Sequence, residues 1–185
     1  MAGIDKEVAA QVEGKRLTFS FCSHPFENVV WAGQLQGLLE AHGAEVHCLN
    51  HKDHGKPEWQ VQWTSCARPA DAVVIIGSKE YANSNWSLAE CYLVQQAHKK
   101  YITVLPEKTK SAKDAMKHIA QNMKQTAEEN EADRYMHQPP WSYLQWNTKA
   151  QDEMRKQYPR GNFAVMNDES RNNYEKLVAK WNDLS

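Results

Sequence analysis

The chain is poor in every feature that would mark a specialised environment. Its 185 residues include four cysteines, Cys22, Cys48, Cys66 and Cys91, and no two have a paired spacing. A disulfide framework is thereby excluded, and the thiols read as reduced and buried in a cytosolic protein. Neither sign of charge dominates, since the formal net charge is −1. That leaves no electrostatic footprint for nucleic acid or for an anionic membrane. No apolar run approaches a membrane span; the longest, residues 72–77, is strand-sized. Residues 1–14 are polar and lack the apolar core of a secretion signal. There is no Gly-rich phosphate loop and no G-x-S-x-G nucleophile turn. Internal repeats and low-complexity linkers are also missing. His47, Cys48, His51 and His54 lie close in sequence, but a loop metal site needs further fixed ligands and none is obvious, so no metal is expected.

What the chain does have is alternation. Its length suits one domain with a real core. Leu17-Thr18-Phe19-Ser20-Phe21 alternates apolar and polar and predicts a strand. Pro25 and Glu27 open a helix with Trp31, Leu35, Leu38 and His42 on one face, and Gly43 ends it. Val46-His47-Cys48-Leu49 predicts a second strand, then a polar loop over 50–57 and a short helix over 58–67. The β-branched run over 71–76 predicts a buried strand, and Tyr101-Ile102-Thr103-Val104-Leu105 a fourth. Beyond Pro106, a capped helix starts near Ser111, and a Trp-rich stretch covers 141–158. A fifth strand over 162–166 and a last helix from Asp168, with Tyr174, Leu177, Val178 and Trp181 inward, complete the reading. Strands joined by helices imply an open parallel α/β sheet with right-handed crossovers, binding ligands beyond its carboxyl strand ends.

One residue stands out from that pattern. Residues 84–97 read as a helix, and on it Trp86, Glu90, Leu93 and Ala97 share one stripe. A carboxylate within an apolar stripe is costly unless it is paired or serves a function. Ser84 is placed to cap this helix.

Ser78-Lys79-Glu80-Tyr81-Ala82-Asn83-Ser84-Asn85-Trp86-Ser87-Leu88-Ala89-Glu90 closely resembles the third-strand-to-helix segment of TIR (Toll/interleukin-1 receptor) domains. That family shows Ser, a Tyr, then Ser-x-Trp-Cys-x-x-Glu; here Ser87 replaces the cysteine. Thr18-Phe19-Ser20-Phe21 is similar to the family's first box, and Leu38-Leu39-Glu40-Ala41-His42-Gly43 to the end of its first helix. Residues 50–59 take the place of the family's BB loop but depart from its Arg-Asp-x-x-Pro-Gly form.

The resemblance implies a flavodoxin-like fold of about five parallel strands flanked by helices. Residues 1–185 would form a single TIR-like domain, with 15–106 as the matched core and 107–185 as a family-variable helical part. It also implies one of two functions. The first is cleavage of NAD⁺ at the nicotinamide–ribose bond, giving nicotinamide plus ADP-ribose or a cyclic ADP-ribose isomer, in immune or cell-death signalling. The alternative is a non-catalytic scaffold acting through TIR–TIR assembly. The family's enzymes use a Glu on this helix with a Trp four residues before it, which Trp86 and Glu90 match, so cleavage is the expected role. NAD⁺ is then the substrate, no separate cofactor is implied, and self-association is expected.

Glu90 would stabilise the positive charge growing on the ribose. Trp86, or Trp59 in the BB-loop region, would wall the nicotinamide, unless Trp86 is plain core packing. Ser20, Phe21 and His24 line the expected crevice. Lys56 either meets a phosphate or solvates its loop, and Ser84 either joins the site or only caps the helix. A nucleotide-binding α/β domain without TIR function is a weaker third reading.

Overall fold

The computed structural model describes residues 4–48, 59–78, 80–81, 84–109, 111–123 and 168–184. Four strands pair in parallel in the order β2-β1-β3-β4: β1 (Arg16–Ser20), β2 (Glu45–His47), β3 (Ala72–Ile76) and β4 (Tyr101–Val104). The crossovers contain α2 (Phe26–Ala41), α3 (Trp59–Ala67) and α4 (Asn85–Gln96). After β4 come α5 (Pro106–Thr109), α6 (Ala112–Met123) and α7 (Asp168–Asp183). This is the parallel, helix-flanked α/β sheet that the alternation predicts. The anticipated strand at 162–166 and the Trp-rich stretch at 141–158 lie outside the described residues.

Three local details differ from the sequence reading. A helix precedes β1: α1 (Lys6–Val12) starts where the Asp5 side chain accepts the Glu7 amide. Its 7 residues bury only Val12, too little for a visible period. Pro106 ends β4 and also opens α5, where a missing N–H costs nothing. The buried stripe of α2 runs through Ala32, Leu35 and Leu39, with Trp31 and Leu38 on its flank. Gly43 does end α2, at φ +89°, with its amide on the Glu40 carbonyl and the Ala44 amide on that of Leu39. This left-handed cap suits glycine.

Period 2 sends the strand residues to two cores. Leu17, Phe19, Ala72, Val74, Ile76, Ile102 and Val104 meet α2 and α6. Val73, Ile75 and Tyr101 meet α3, α4 and α7. Thr18 and Ser20 therefore face the second side, beneath α4, and both are buried. The last helix packs over α3 and α4. Leu177 is fully buried, Tyr174 sits edge-on to Tyr92 with centroids 4.5 Å apart, and Arg68 Nη1 donates to the Trp181 carbonyl at 2.6 Å. Among the described residues, no helix is long and apolar enough to cross a membrane.

Candidate active site

The carboxyl ends of β1 and β3 meet the first turns of α4. Ser84 fixes the start of that helix: its carbonyl accepts the Leu88 amide at 3.0 Å and its hydroxyl accepts the Ser87 amide at 3.2 Å. A serine at this position satisfies a backbone donor that would otherwise lack a partner. Ser84→Ala is expected to cost about 1 kcal/mol of stability, read as a lower urea midpoint with an unchanged slope.

Glu90 lies in the second turn of α4, on the side facing β1. Trp86 and Leu93 share its stripe, whereas Ala97 falls one residue past the helix end. The Glu90 residue is only 6 % exposed. Ser20, at the end of β1, donates its hydroxyl to Glu90 Oε1 at 2.7 Å. The Tyr81 hydroxyl lies 2.7 Å from the same Ser20 oxygen. No cation pairs with Glu90 among the described residues. Burial pushes its carboxyl up to about 8, and the Ser20 bond only partly opposes this.

The surroundings of this carboxyl are acidic and polar. Cys22 donates its thiol to the His24 carbonyl at 3.4 Å. Burial raises the Cys22 thiol, and the nearby charges of Glu80 and Glu90 raise it further, against hydrogen bonds with the His24 backbone and the Ser84 side chain. Asn28 Nδ2 donates to the His24 carbonyl at 2.9 Å and to Glu80 Oε2 at 3.0 Å. Start of α2, end of β3 and start of α4 thus converge at one place. A buried carboxyl held by one hydroxyl can stabilise a developing cation or take a proton.

The sequence-derived candidates have separate placements. Ser20 joins Glu90, and Ser84 stands at the helix start. Phe21 packs in the opposite core with Phe19 and Leu39. His24 is exposed, and its carbonyl is occupied by Cys22 and Asn28. Trp86 is half-buried against the α7 side, with the Lys176 ammonium 6.0 Å from its ring centroid. Trp59 begins α3, but its side chain lies outside the described residues, as does Lys56. Among the described residues, no cluster of three or more His, Cys, Asp or Glu could hold a metal ion. His51 and His54 lie outside that set.

Sequence reasoning missed Tyr81, Cys22, Asn28 and Glu80. Tyr81 carried a signal, because a tyrosine hydroxyl in a buried connection needs a partner. Cys22 and Asn28 meet at the His24 carbonyl, and Glu80 joins them through Asn28 from across the fold, none of which a spacing pattern displays.

The sequence model of the TIR domain matches residues 20–137. The chain belongs to the TIR domain family. No curated protein and no solved structure matches it. The TIR match begins at Ser20 itself and spans Tyr81 and Glu90, so the whole hydrogen-bonded group lies within the family region.

Proposed function

We propose that this TIR domain cleaves NAD⁺ at the nicotinamide–ribose bond, with Glu90 as the catalytic residue. One observation carries the reading: a glutamate only 6 % exposed, its carboxyl bonded to Ser20 and without an ion-pair partner among the described residues. A carboxyl that serves only structure is normally paired or exposed. This one keeps a costly position at the carboxyl ends of parallel strands, where such sheets bind ligands.

The chemistry follows from charge. The C1′–N bond breaks, its electron pair returns to the pyridinium nitrogen, and nicotinamide leaves neutral. The ribose is left oxocarbenium-like, and an adjacent carboxylate stabilises it in a site poor in water. Capture by water gives ADP-ribose and a proton; capture by a ring nitrogen of the substrate's own adenine gives a cyclic isomer. Trp86, or Trp59, would wall the nicotinamide, and Lys56 would meet a phosphate. In the resting domain at neutral pH the Glu90 carboxyl is mostly protonated, given its rise to about 8. Binding of the substrate's cationic nicotinamide ring beside Glu90 favours the carboxylate and expels that proton.

Purified protein incubated with NAD⁺ should release nicotinamide, followed by chromatography with mass identification of the second product, and Glu90→Ala should not. Release as kcat/KM should rise from pH 6 to a plateau above about 8, because the free protein must lose the Glu90 proton. The kcat midpoint should lie lower, since bound substrate has already favoured ionisation. Equal release from both proteins, or none under conditions that promote assembly, would leave the scaffold reading. That reading has its own feature: Phe26 and Val30, one turn apart on α2, are 66 % and 45 % exposed.

A further inference from the structure

Ser20 has a single hydroxyl proton. When that proton is donated to Glu90 Oε1, the 2.7 Å contact to Tyr81 has only one possible donor, the tyrosine. Tyr81 in turn meets the Cys91 side chain. Ser20, Tyr81 and Cys91 are all fully buried, and within the string Tyr81–Ser20–Glu90 only the Glu90 residue keeps any exposure among the described residues. It can reverse its direction, but it cannot import or export a proton through its inner end. Its role is therefore to orient and stabilise charge, and it does not supply protons.

We propose that Tyr81 is a positioning residue for Glu90, acting through Ser20. With the carboxyl ionised, every hydroxyl points outward, from Tyr81 to Ser20 to Glu90. With the carboxyl protonated, the string can run inward. The main chain holds Tyr81 in place for this role. Its amide bonds the Ser78 carbonyl at 3.1 Å, and its carbonyl accepts the Ser84 amide at 3.2 Å. The tyrosine is thus tied both to the end of β3 and to the cap of the Glu90 helix. Hydrogen bonds in series polarise one another, so the tyrosine strengthens the bond that Ser20 makes to the carboxylate. The titratable groups facing the string among the described residues are Cys22 after β1, Glu80 after β3 and Cys91 on α4. None is a cation, so the hydroxyls are the groups that favour the carboxylate.

The inference builds on Glu90 being catalytic, and its test has a readout independent of turnover. The Glu90 side-chain carboxyl is titrated by ¹³C NMR in the intact protein, its signal assigned by its loss in Glu90→Gln. Tyr81→Phe removes one oxygen and keeps the buried ring. It should move the Glu90 midpoint upward by about half a pH unit, and Ser20→Ala by about one or more. The double variant should match Ser20→Ala alone, because Tyr81 acts only through Ser20. Ser20→Thr, which keeps the hydroxyl, should leave the midpoint close to that of the wild type. The kcat/KM profile for nicotinamide release should move with the midpoints.

An unmoved Glu90 midpoint in Tyr81→Phe would overturn the proposal, as would shifts that add in the double variant. If Tyr81→Phe fails to fold, the contrast of Ser20→Ala with Ser20→Thr decides: equal midpoints overturn the string. Shifted midpoints with no nicotinamide release at any pH would uphold the string and sink the NAD⁺ reading alone.

Discussion

Glu90→Gln is expected to abolish nicotinamide release while making the domain more stable in alkaline buffer. The two effects share one cause. Glutamine keeps the shape and can still accept the Ser20 hydroxyl, but it has no charge to offer the ribosyl cation. Loss of a preorganised electrostatic group of this kind costs about 10²–10³-fold in rate or more. The stability effect follows from proton binding. Glu90 holds its proton up to about pH 8 in the folded chain, against an ordinary value of 4.5. Between these values the folded protein binds a proton that the unfolded chain has released. Stability is therefore present in full below about 4.5, falls as pH rises through the window, and is lost above about 8. At pH 9 the ionised carboxyl should cost on the order of 4–5 kcal/mol. Glu90→Gln removes that cost, so thermal melts from pH 5 to pH 9 should fall for the wild type and stay nearly flat for the variant. The gap at pH 9 should be of order 10 °C. Parallel curves would contradict the buried, proton-holding state.

Trp63→Ala should be among the most damaging substitutions in the core. The Trp63 side chain lies on α3, 1 % exposed, and its indole nitrogen donates to the Phe19 carbonyl at 3.0 Å. That carbonyl stands one residue beyond the last β1–β2 pair, Thr18 with His47. Truncation leaves a large void worth about 3–5 kcal/mol. It also leaves a buried carbonyl without its donor, adding about 1–3 kcal/mol. Trp63→Phe separates the two, because it fills most of the volume and loses only the bond. Chemical denaturation should rank wild type above Trp63→Phe above Trp63→Ala. Since Phe19 precedes Ser20, both variants should also lower nicotinamide release.

The frame was legible because its signals are local. The run Val73-Val74-Ile75-Ile76 has no reading except a buried strand, and the alternation around Thr18 and Ser20 already divides β1 between two faces. The acidic residue in the stripe of α4 was visible for the same reason, as a break in a period. What periodicity hides is the partner across the fold. Ser20 and Glu90 are 70 positions apart, and no spacing rule joins them. Ser20 was readable as a crevice residue, but its role as the carboxyl's donor was not. Asn28, Glu80 and Cys22 were invisible for that reason, each being ordinary in its own segment. The short α1 escaped for a different one: a 7-residue helix turns too few times to show a stripe.

The family match stops at residue 137, yet α7 begins at Asp168 and seals the second core with Leu177. Ser170 donates to Asn85 Oδ1 at 2.7 Å, reaching the first residue of the Glu90 helix. Anyone trimming this gene at the homology boundary would strip away a wall of the hydrophobic interior and bare Tyr92 and Leu93 to water. The recombinant unit worth expressing runs at least through Asp183.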